Sequence, residues 1–391
     1  MLKRIVFFFL FVIFASCSKG NSDSLFTKLD ASQTGINFQN EVKNGKNMNI
    51  FKYRNFYNGG GVAIGDINND GLADVFFTSN QGTNKLYLNK GNFKFEDIST
   101  KSGIEGKKAW STGVVMVDIN GDGLLDIYVC DAGSNIDAIR KSQLYINNGN
   151  ATFTEKAAEY NLADTGITTH AAFFDYDKDG DLDCYILNNS FIPVGTLNYS
   201  NKRDLRDKDW DVADILKGGG DRLMRNDNGK FVDVSESAGI FSSLIGFGLG
   251  VTVGDVNGDL YPDLYISNDF YERDYLYINN KNGTFSEQIQ GWATHISQSS
   301  MGADLADVNN DGKSDIFTTD MLPEGDVRLK TTTSFDNYDL LTRKLNLDFF
   351  NQYMANSLQI NDDNNKFVEV ANYAGVAKTD WSWGALLFDM D

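Results

Sequence analysis

A nine-residue loop rich in side-chain oxygens, residues 118–126, is the stretch of this sequence with the clearest chemical meaning. Its positions one, three, five and nine carry possible metal ligands: Asp118, Asn120, Asp122 and Asp126. Gly123 occupies position six, where a loop that wraps an ion turns sharply. Oxygen ligands in this number suit Ca²⁺ better than Mg²⁺, which retains water, or Zn²⁺, which prefers nitrogen and sulfur. The spacing therefore predicts a calcium loop.

The same loop recurs along the chain at regular intervals. The other complete copies place oxygen ligands at the same four positions: Asp66, Asn68, Asp70 and Asp74; Asp175, Asp177, Asp179 and Asp183; Asp255, Asn257, Asp259 and Asp263; Asp307, Asn309, Asp311 and Asp315. The fourth copy departs from the pattern, because Leu260 replaces the glycine. A sixth copy begins at Asp389. These complete copies, with ligands at the same positions, predict about one Ca²⁺ per loop, and each ion would hold one turn of the protein in place.

The residues after each loop exclude an EF-hand. That motif needs a glutamate at position twelve and a helix on each side. Position twelve holds no acidic residue in any complete copy: Phe77, Val129, Ile186, Ile266 and Thr318. The surrounding residues are β-formers, as in Ile127-Tyr-Val-Cys130. We therefore predict a strand, a calcium loop and a second strand in each unit.

A glycine-rich strand precedes most loops, and a strand pair follows each one. Leu86–Phe95 and Leu144–Phe153 show the alternating apolar residues and the Asn-Gly turns of a hairpin. The unit is thus a four-stranded meander, and its uninterrupted spacing is 52 residues, from Asp66 to Asp118. Such units in series predict an all-β fold, a β-propeller of four-stranded blades.

Two insertions, at about 190–220 and 320–356, interrupt the repeat between its second and third strands. The second includes Tyr338–Leu345, a candidate short helix. In a meander these connections lie on the face opposite the calcium loops, and long loops on one face of a rigid scaffold are where binding sites are usually built. Four residues are candidates for this ligand face: Trp110, Trp292, His295 and Trp381.

The N-terminus has the pattern of an exported lipoprotein. Residues 1–16 read as a signal peptide, because two basic residues precede a short apolar run. Phe14-Ala-Ser-Cys17 then resembles a lipoprotein box, which predicts lipidation of Cys17, a tether over 17–25 and anchoring in the bacterial envelope, at the outer membrane. Ordinary signal cleavage is the alternative. Residues 26–391 form the propeller, and we expect Phe26–Ile36 to be the outer strand of its last blade, whose partners lie beyond Asp391.

Composition limits the partners of the chain. The formal net charge is −19, so a nucleic-acid backbone is a disfavoured partner. The membrane is expected as a partner only through the lipid anchor. Besides Cys17 the chain has Cys130 and Cys184, which we expect to be buried free thiols, with a disulfide as the alternative.

The phrase Asp-x-Asn-x-Asp-Gly-x-x-Asp, with a downstream Leu-Tyr-x-Asn, resembles the FG-GAP/VCBS repeats of integrin-alpha-type propellers. Tyr53–Gly61 and Trp381-Ser-Trp-Gly384 look like bacterial exported proteins of the ASPIC/UnbV and cartilage-acidic-protein group. The resemblance covers residues 26–391. It implies about seven blades in the full protein and calcium in the loop of each blade. It implies little about the ligand, because this scaffold hosts adhesion, lectin-like and enzymatic roles.

These patterns favour a binding, adhesion or assembly module for glycan or protein ligands at the cell envelope. The alternative is a polysaccharide lyase or hydrolase built on a calcium propeller. The sequence assigns no catalytic residue, because the aspartates are already committed to loops and no nucleophile–base pair is evident. The only histidines are His170, on a predicted inner strand, and His295. We therefore expect the protein not to be an enzyme.

Overall fold

The fold is known from a computed structural model that describes residues 26–105, 110–132, 140–190, 203, 205–362 and 364–390. The proposed signal peptide, Cys17 and the whole tether over 17–25 lie outside the described residues. Within the described part of the chain, no helix is long and apolar enough to cross a membrane.

Antiparallel sheets of four strands make up the described chain, and each follows the order of the sequence. Blades one and two are β1 (Val62–Gly65), β2 (Asp74–Phe77), β3 (Lys85–Asn89), β4 (Phe95–Asp97), β5 (Trp110–Val117), β6 (Asp126–Ala132), β7 (Gln143–Asn147) and β8 (Phe153–Glu155). Blades three and four are β9 (Ile167–Phe174), β10 (Asp183–Asn189), β11 (Arg222–Asn226), β12 (Phe231–Asp233), β13 (Gly248–Gly254), β14 (Asp263–Asn268), β15 (Tyr275–Asn279) and β16 (Phe285–Glu287).

The fifth blade is built in the same way, with one extra strand pair beside it. β17 (Ile296–Ser297) pairs in parallel with β20 (Gln352–Tyr353), while the blade itself is β18 (Gly302–Ala306), β19 (Asp315–Thr319), β21 (Ser357–Asn361) and β22 (Phe367–Glu369). These five meanders confirm the predicted all-β propeller class. Among the described residues no strand pairing joins the fifth blade to the first, so the count of seven blades stays a prediction.

The first strands of successive blades lie side by side, and their glycines make this possible. A Cβ atom on Gly61 would lie 2.7 Å from Thr112 O, and one on Gly113 would lie 2.5 Å from Thr169 O. Real Cβ atoms do not approach oxygen so closely, so only glycine allows these backbones to meet. Hydroxyl groups then join neighbouring blades, as in the hydrogen bond from Thr112 Oγ1 to Thr168 O at 2.6 Å.

The hydrophobic core lies between blades rather than within them. The cluster between the first two contains Phe76 and Leu86 from one blade and Val129 from the next, all completely buried. The next cluster contains both Cys130 and Cys184. Both are buried free thiols, as predicted from the sequence. Because the second, third and fourth blades have such a cluster on each face, a blade depends on its neighbours for its stability.

Short helices follow the outer strands, and longer ones occupy the second insertion. They are α1 (Ala31–Thr34), α2 (Ser99–Ser102), α3 (Ala157–Tyr160), α4 (Ser235–Ala238), α5 (Ile289–Trp292), α6 (Asp326–Thr332), α7 (Tyr338–Asn346) and α8 (Ala371–Ala374). The first insertion contains two 3₁₀ turns, Asp207–Asp209 and Asp214–Leu216. The side chain of Asn337 accepts a hydrogen bond from Leu340 N at 2.9 Å and so caps α7, which confirms the predicted helix.

The N-terminal segment packs against the first blade. Gly35 ends α1 in the left-handed conformation, with φ of 83°, and a Cβ there would lie 2.4 Å from Phe95 O. Gly239 has the same relation to Phe285 O in a later blade. No part of Phe26–Ile36 is in a strand and Ala31–Thr34 is helical, so the expectation that this whole segment is an outer strand needs correction. Its pairing with a last blade stays a prediction.

Candidate functional site

The five loops connect the first and second strands of their blades and lie on one face of the molecule, here called the loop face. Neighbouring loops touch each other. Asn69 Nδ2 donates to Gly123 O at 3.0 Å, and Ser314 Oγ donates to Asp255 O at 3.0 Å. Position six adopts the left-handed backbone in every copy, at Gly71, Gly123, Gly180, Leu260 and Gly312. The structure therefore brings together the ligand residues predicted within each loop.

In the loops with asparagine at position three, backbone and amide donors satisfy the carboxylates. In the second loop, Asp118 accepts N–H groups from Asp122 at 3.0 Å and from Gly123 at 2.8 Å. Asn120 Nδ2 donates to Asp122 Oδ2 at 3.0 Å. Equivalent amide bonds of 2.9 to 3.0 Å occur in the first, fourth and fifth loops. The side chains thus converge on one small volume without needing a cation to do so.

The aspartate at position nine begins the second strand and joins the loop to the third strand in every described blade. Asp126 Oδ2 accepts from Ile119 N at 3.2 Å and Asp126 Oδ1 accepts from Asn147 N at 2.8 Å, so its carboxylate ties the loop to β7. Burial raises the pKa of Asp126 and Asp263 to about 6 and that of Asp183 to about 7, although backbone N–H donors oppose the shift. These residues are structural as well as possible ligands.

The third loop differs because Asp177 replaces asparagine and cannot donate a hydrogen bond. Carboxylate oxygens of Asp175, Asp177 and Asp183 lie within 4.8 Å of one another. Buried Oδ1 atoms of Asp175, Asp177 and Asp181 have no hydrogen-bond partner. A group of close, unsatisfied carboxylate oxygens fits a hard cation such as Ca²⁺.

The fourth loop keeps the shape of the others despite Leu260. This residue adopts φ of 70° and is 77% exposed. Its N–H still donates to Asp255 Oδ2, at 2.8 Å. Lys281 Nζ lies 3.2 Å from Asp259 Oδ2, so this loop already has a cation beside one of its ligands.

The candidate ligand-face residues divide into buried and exposed ones. Trp110 and Trp292 are only 5% and 4% exposed, so the expectation that they face a ligand needs correction. They fill the gaps between blades, and Trp292 packs on Phe367 with ring centroids 5.3 Å apart. Trp381 is 57% exposed. His295 is partly exposed, lies 3.6 Å from Glu369 and contacts Tyr353 edge to face.

His170 lies on β9 beside the closely packed glycine of the neighbouring blade. A Cβ on Gly113 would be 3.3 Å from its ring. Burial lowers the pKa of His170, and its Nδ1 accepts from Ala171 N at 2.9 Å. Among the described residues, His170 has no carboxylate partner at ion-pair distance. Its environment is that of a packed histidine rather than a general base.

The two insertions meet and form what we call the insertion platform, residues 203, 205–217, 269–274 and 326–353. Arg203 Nε donates to the buried Glu272 at 2.9 Å, and Arg203 Nη1 reaches Asp348 at 3.1 Å. Arg273 pairs with Glu287 at 2.6 Å. This charge network was not predicted, because its members are far apart in the sequence and only folding brings them together.

Exposed aromatic residues on the second insertion are a further feature that sequence reasoning missed. Phe335 and Tyr338 are 61% and 80% exposed, and Tyr353 is about half exposed. They stand on or beside α7, away from the loop face. Aromatic rings held on a rigid support can stack on sugars or on protein side chains.

Buried aspartates also support the platform. Asp221 accepts from Asn188 N at 2.9 Å and from the Tyr185 hydroxyl at 2.8 Å. Asp274 accepts equivalent hydrogen bonds from Asn268 N and Tyr265 in the next blade. Burial raises the pKa of Asp221 and Asp274 to about 7.

The model of the FG-GAP-like repeat family matches residues 45–129, 133–186 and 255–318, just over half of the chain. The chain belongs to the FG-GAP-like repeat family. The matched ranges include the loops of all five blades, and the repeats correspond to the blades seen in the structure.

Curated relatives include cartilage acidic protein 1 from two vertebrates. The protein from Xenopus tropicalis is 32% identical over 136 residues, which are 34% of this chain and 20% of that protein. The protein from Mus musculus is 28% identical over 131 residues, again 20% of its length. The match thus spans about a fifth of these relatives.

Solved structures with a similar fold include an Agrocybe aegerita lectin, whose description concerns recognition of non-reducing terminal N-acetylglucosamine. It is 15% identical with a TM-score of 0.41, covering 78% of this chain and 64% of the lectin. The V. cholerae biofilm matrix protein Bap1 is 13% identical with a TM-score of 0.36, covering 68% of this chain and 34% of that protein. Scores this low carry no argument about the function of this chain.

Proposed function

We propose that this FG-GAP-like repeat protein is a calcium-stabilised recognition module of the bacterial cell envelope, which binds glycan or protein ligands on its insertion platform. The observation that carries the proposal is the division of the molecule into two faces. One face has the acidic loops, and the other has both insertions packed into a single platform.

The platform has the rigidity that a binding surface needs. Leu244, Phe247 and Phe349 are buried in one cluster beneath it, with Trp210 of the first insertion packed against them. The charge network around Glu272 joins the two insertions across the top. Exposed rings on such a support lose little conformational entropy on binding, which favours affinity.

Calcium is proposed for the loops because the donor set fits it. The ligand positions offer only carboxylate and amide oxygens, and the third loop leaves carboxylate oxygens of Asp175 and Asp177 without partners. A bound ion would hold the first and second strands of each blade together. Export is part of this proposal, because loops that bind calcium weakly are filled only where the calcium concentration is high, as it is outside the cytoplasm. The proposed anchor is a lipid on Cys17.

We also propose that the protein is not an enzyme, because neither histidine has the environment of a catalytic base. His170 is packed against Gly113 of the neighbouring first strand, and His295 is paired with Glu369 at the edge of the fifth blade. No observation here favours the lyase or hydrolase alternative over binding.

Retention on immobilised polysaccharides tests the binding face. Tyr338→Ala and Phe335→Ala are compared with Phe93→Ala, an exposed aromatic on the opposite side of the first blade. We expect the platform variants to lose retention at least about tenfold, as hot-spot aromatics do, and the control to keep it. Equal retention by all three would refute the platform as the binding face, and release of shortened or unsaturated sugars would favour the enzyme.

Chelation tests the calcium part separately. We expect EDTA to lower the melting temperature and Ca²⁺, but not equimolar Mg²⁺, to restore it, because a ligand that binds only the folded state stabilises it. A melting temperature unchanged by EDTA would remove calcium from the proposal.

A further inference from the structure

The five loops do not have the same need for a cation. In four of them, the asparagine at position three donates to the aspartate at position five. These bonds are Asn68 to Asp70, Asn120 to Asp122, Asn257 to Asp259 and Asn309 to Asp311, all at 2.9 to 3.0 Å. A cation that enters such a loop competes with a hydrogen bond that is already formed.

The third loop has no such bond to break and carries more charge. Asp177 has only acceptor oxygens, and Asp181 adds a carboxylate at position seven, where the other loops have Leu72, Leu124, Tyr261 and Lys313. Buried oxygens of Asp175, Asp177 and Asp181 are unsatisfied. Within the described chain, this is the loop in which three acidic residues converge within 4.8 Å.

The cations nearest to the third loop interact with other groups. Lys178 Nζ lies 4.5 Å from the centre of the Tyr261 ring in the fourth loop. Arg225 Nε donates to Asp227 at 2.7 Å. In the fourth loop, by contrast, Lys281 already neutralises Asp259. Protein cations therefore relieve the fourth loop but leave the third with close, unpaired carboxylates.

We propose that the third loop is the tight calcium site of this protein and that the other four loops bind Ca²⁺ more weakly. The inference rests on the calcium part of the proposed function. Ca²⁺ affinity rises with the number of charged ligands, and the third loop has more carboxylates than any of the others. A cation there also removes carboxylate repulsion that Arg225, which pairs with Asp227, only partly offsets.

The position of this loop gives its ion a structural consequence. The loop joins β9 to β10, and β10 leads directly into the first insertion. Asp183 Oδ1 accepts from Asn226 N at 2.8 Å, on the strand that follows the insertion. The third loop thus ties together the two strands that flank the insertion, at their ends away from it. We expect its occupancy to set how firmly these strands, which carry the first half of the platform, are held together.

Two reciprocal substitutions test the inference by calorimetric Ca²⁺ titration of the purified, chelator-treated protein. Asp177→Asn gives the third loop the sequence pattern of the others, and Asn120→Asp gives the second loop the aspartate of the third. We expect wild type to show one tight site before weaker ones. Asp177→Asn should weaken that site about tenfold or more, whereas Asn120→Asp should strengthen a second site.

Amide hydrogen exchange shows which part of the protein contains the tight site. At a Ca²⁺ concentration that fills only the tight site, protection should rise first in β9, β10 and β11 of wild type but not of Asp177→Asn. Titration curves of Asp177→Asn and Asn120→Asp that overlay wild type would overturn the inference while leaving calcium binding intact. Absence of Ca²⁺ binding in wild type would instead overturn the calcium part of the proposed function. Circular dichroism first establishes that both variants are folded. If Asp177→Asn does not fold, the Ca²⁺ titration of Asn120→Asp by itself tests the inference.

Discussion

The buried carboxyl of Asp221 should make this protein less stable as the pH rises, and Asp221→Asn should remove that loss. Burial raises the pKa of Asp221 from 3.8 to about 7 in the folded protein. Between these values the folded state holds a proton that the unfolded state has released. Stability attributable to this group is therefore greatest below the unfolded pKa and declines until the pH passes the folded pKa.

The magnitude follows from the width of that interval. One pKa unit corresponds to about 1.4 kcal/mol, so the range from about pH 5 to about pH 7 accounts for roughly 2–3 kcal/mol. An asparagine can accept from Asn188 N and donate to the Tyr185 oxygen, so it preserves the packing while removing the titration. The variant should gain this much stability relative to wild type across the interval, whatever their difference at low pH.

Urea unfolding at about pH 5, 6, 7 and 8, with calcium held constant, measures the effect as the difference between the two proteins. Other titrating groups cancel in that difference. Asp214→Asn, which removes a fully exposed carboxylate in the first insertion, is the matched control and should run parallel to wild type. Parallel wild-type and Asp221→Asn curves would show that burial does not hold a proton on this residue, and the reasoning would be wrong.

Three further substitutions test the platform, the fourth loop and the core. Glu272→Gln leaves Arg203 without its buried charged partner and should lower the free energy of unfolding, measured in urea, by about 3 kcal/mol. Proteolysis of the insertions should also become faster. Unchanged stability would contradict a structural role for this pair. Leu260→Gly removes a left-handed leucine with little loss of packing and should stabilise by up to about 1 kcal/mol, and a lower melting temperature would argue against strain there. Tyr128→Phe deletes a buried hydroxyl that donates to Leu162 O at 3.0 Å and should lower the free energy of unfolding by about 1–2 kcal/mol in the same assay. A change outside this range would contradict that hydrogen bond.

Local pattern was sufficient to predict the repeated unit. Metal-loop spacing, Asn-Gly turns and alternating apolar residues act over a few residues, so the strands after each loop and the hairpins that follow were predictable. The glycine before most loops was recognised as a recurring residue, but its reason appears only when Gly61 and Gly113 are seen against the backbone of the next blade. The close approach of two segments that are far apart in the sequence produces no local sequence pattern.

Exposure was the least predictable property of single residues. Trp110 and Trp292 lie near the insertion-bearing ends of their blades, yet both rings turn inward and fill space between blades. The rings that do face solvent, Phe335 and Tyr338, stand in an insertion whose packing no repeat constrains. Side-chain burial depends on what the neighbouring blade supplies, and a single blade does not contain that information.

The sequence by itself determined the all-β class, the repeat, the place of each loop and the position of the insertions, because each depends on spacing along the chain. Only the tertiary structure decided which carboxylates lack partners and which charges meet. Asp177 differs from Asn120 by one functional group, but its consequence depends on where Lys178 and Arg225 point. Arg203, Glu272 and Asp348 became one network because two insertions of different blades fold onto the same face. Long-range electrostatics depends on distance in space, which the order of residues does not specify.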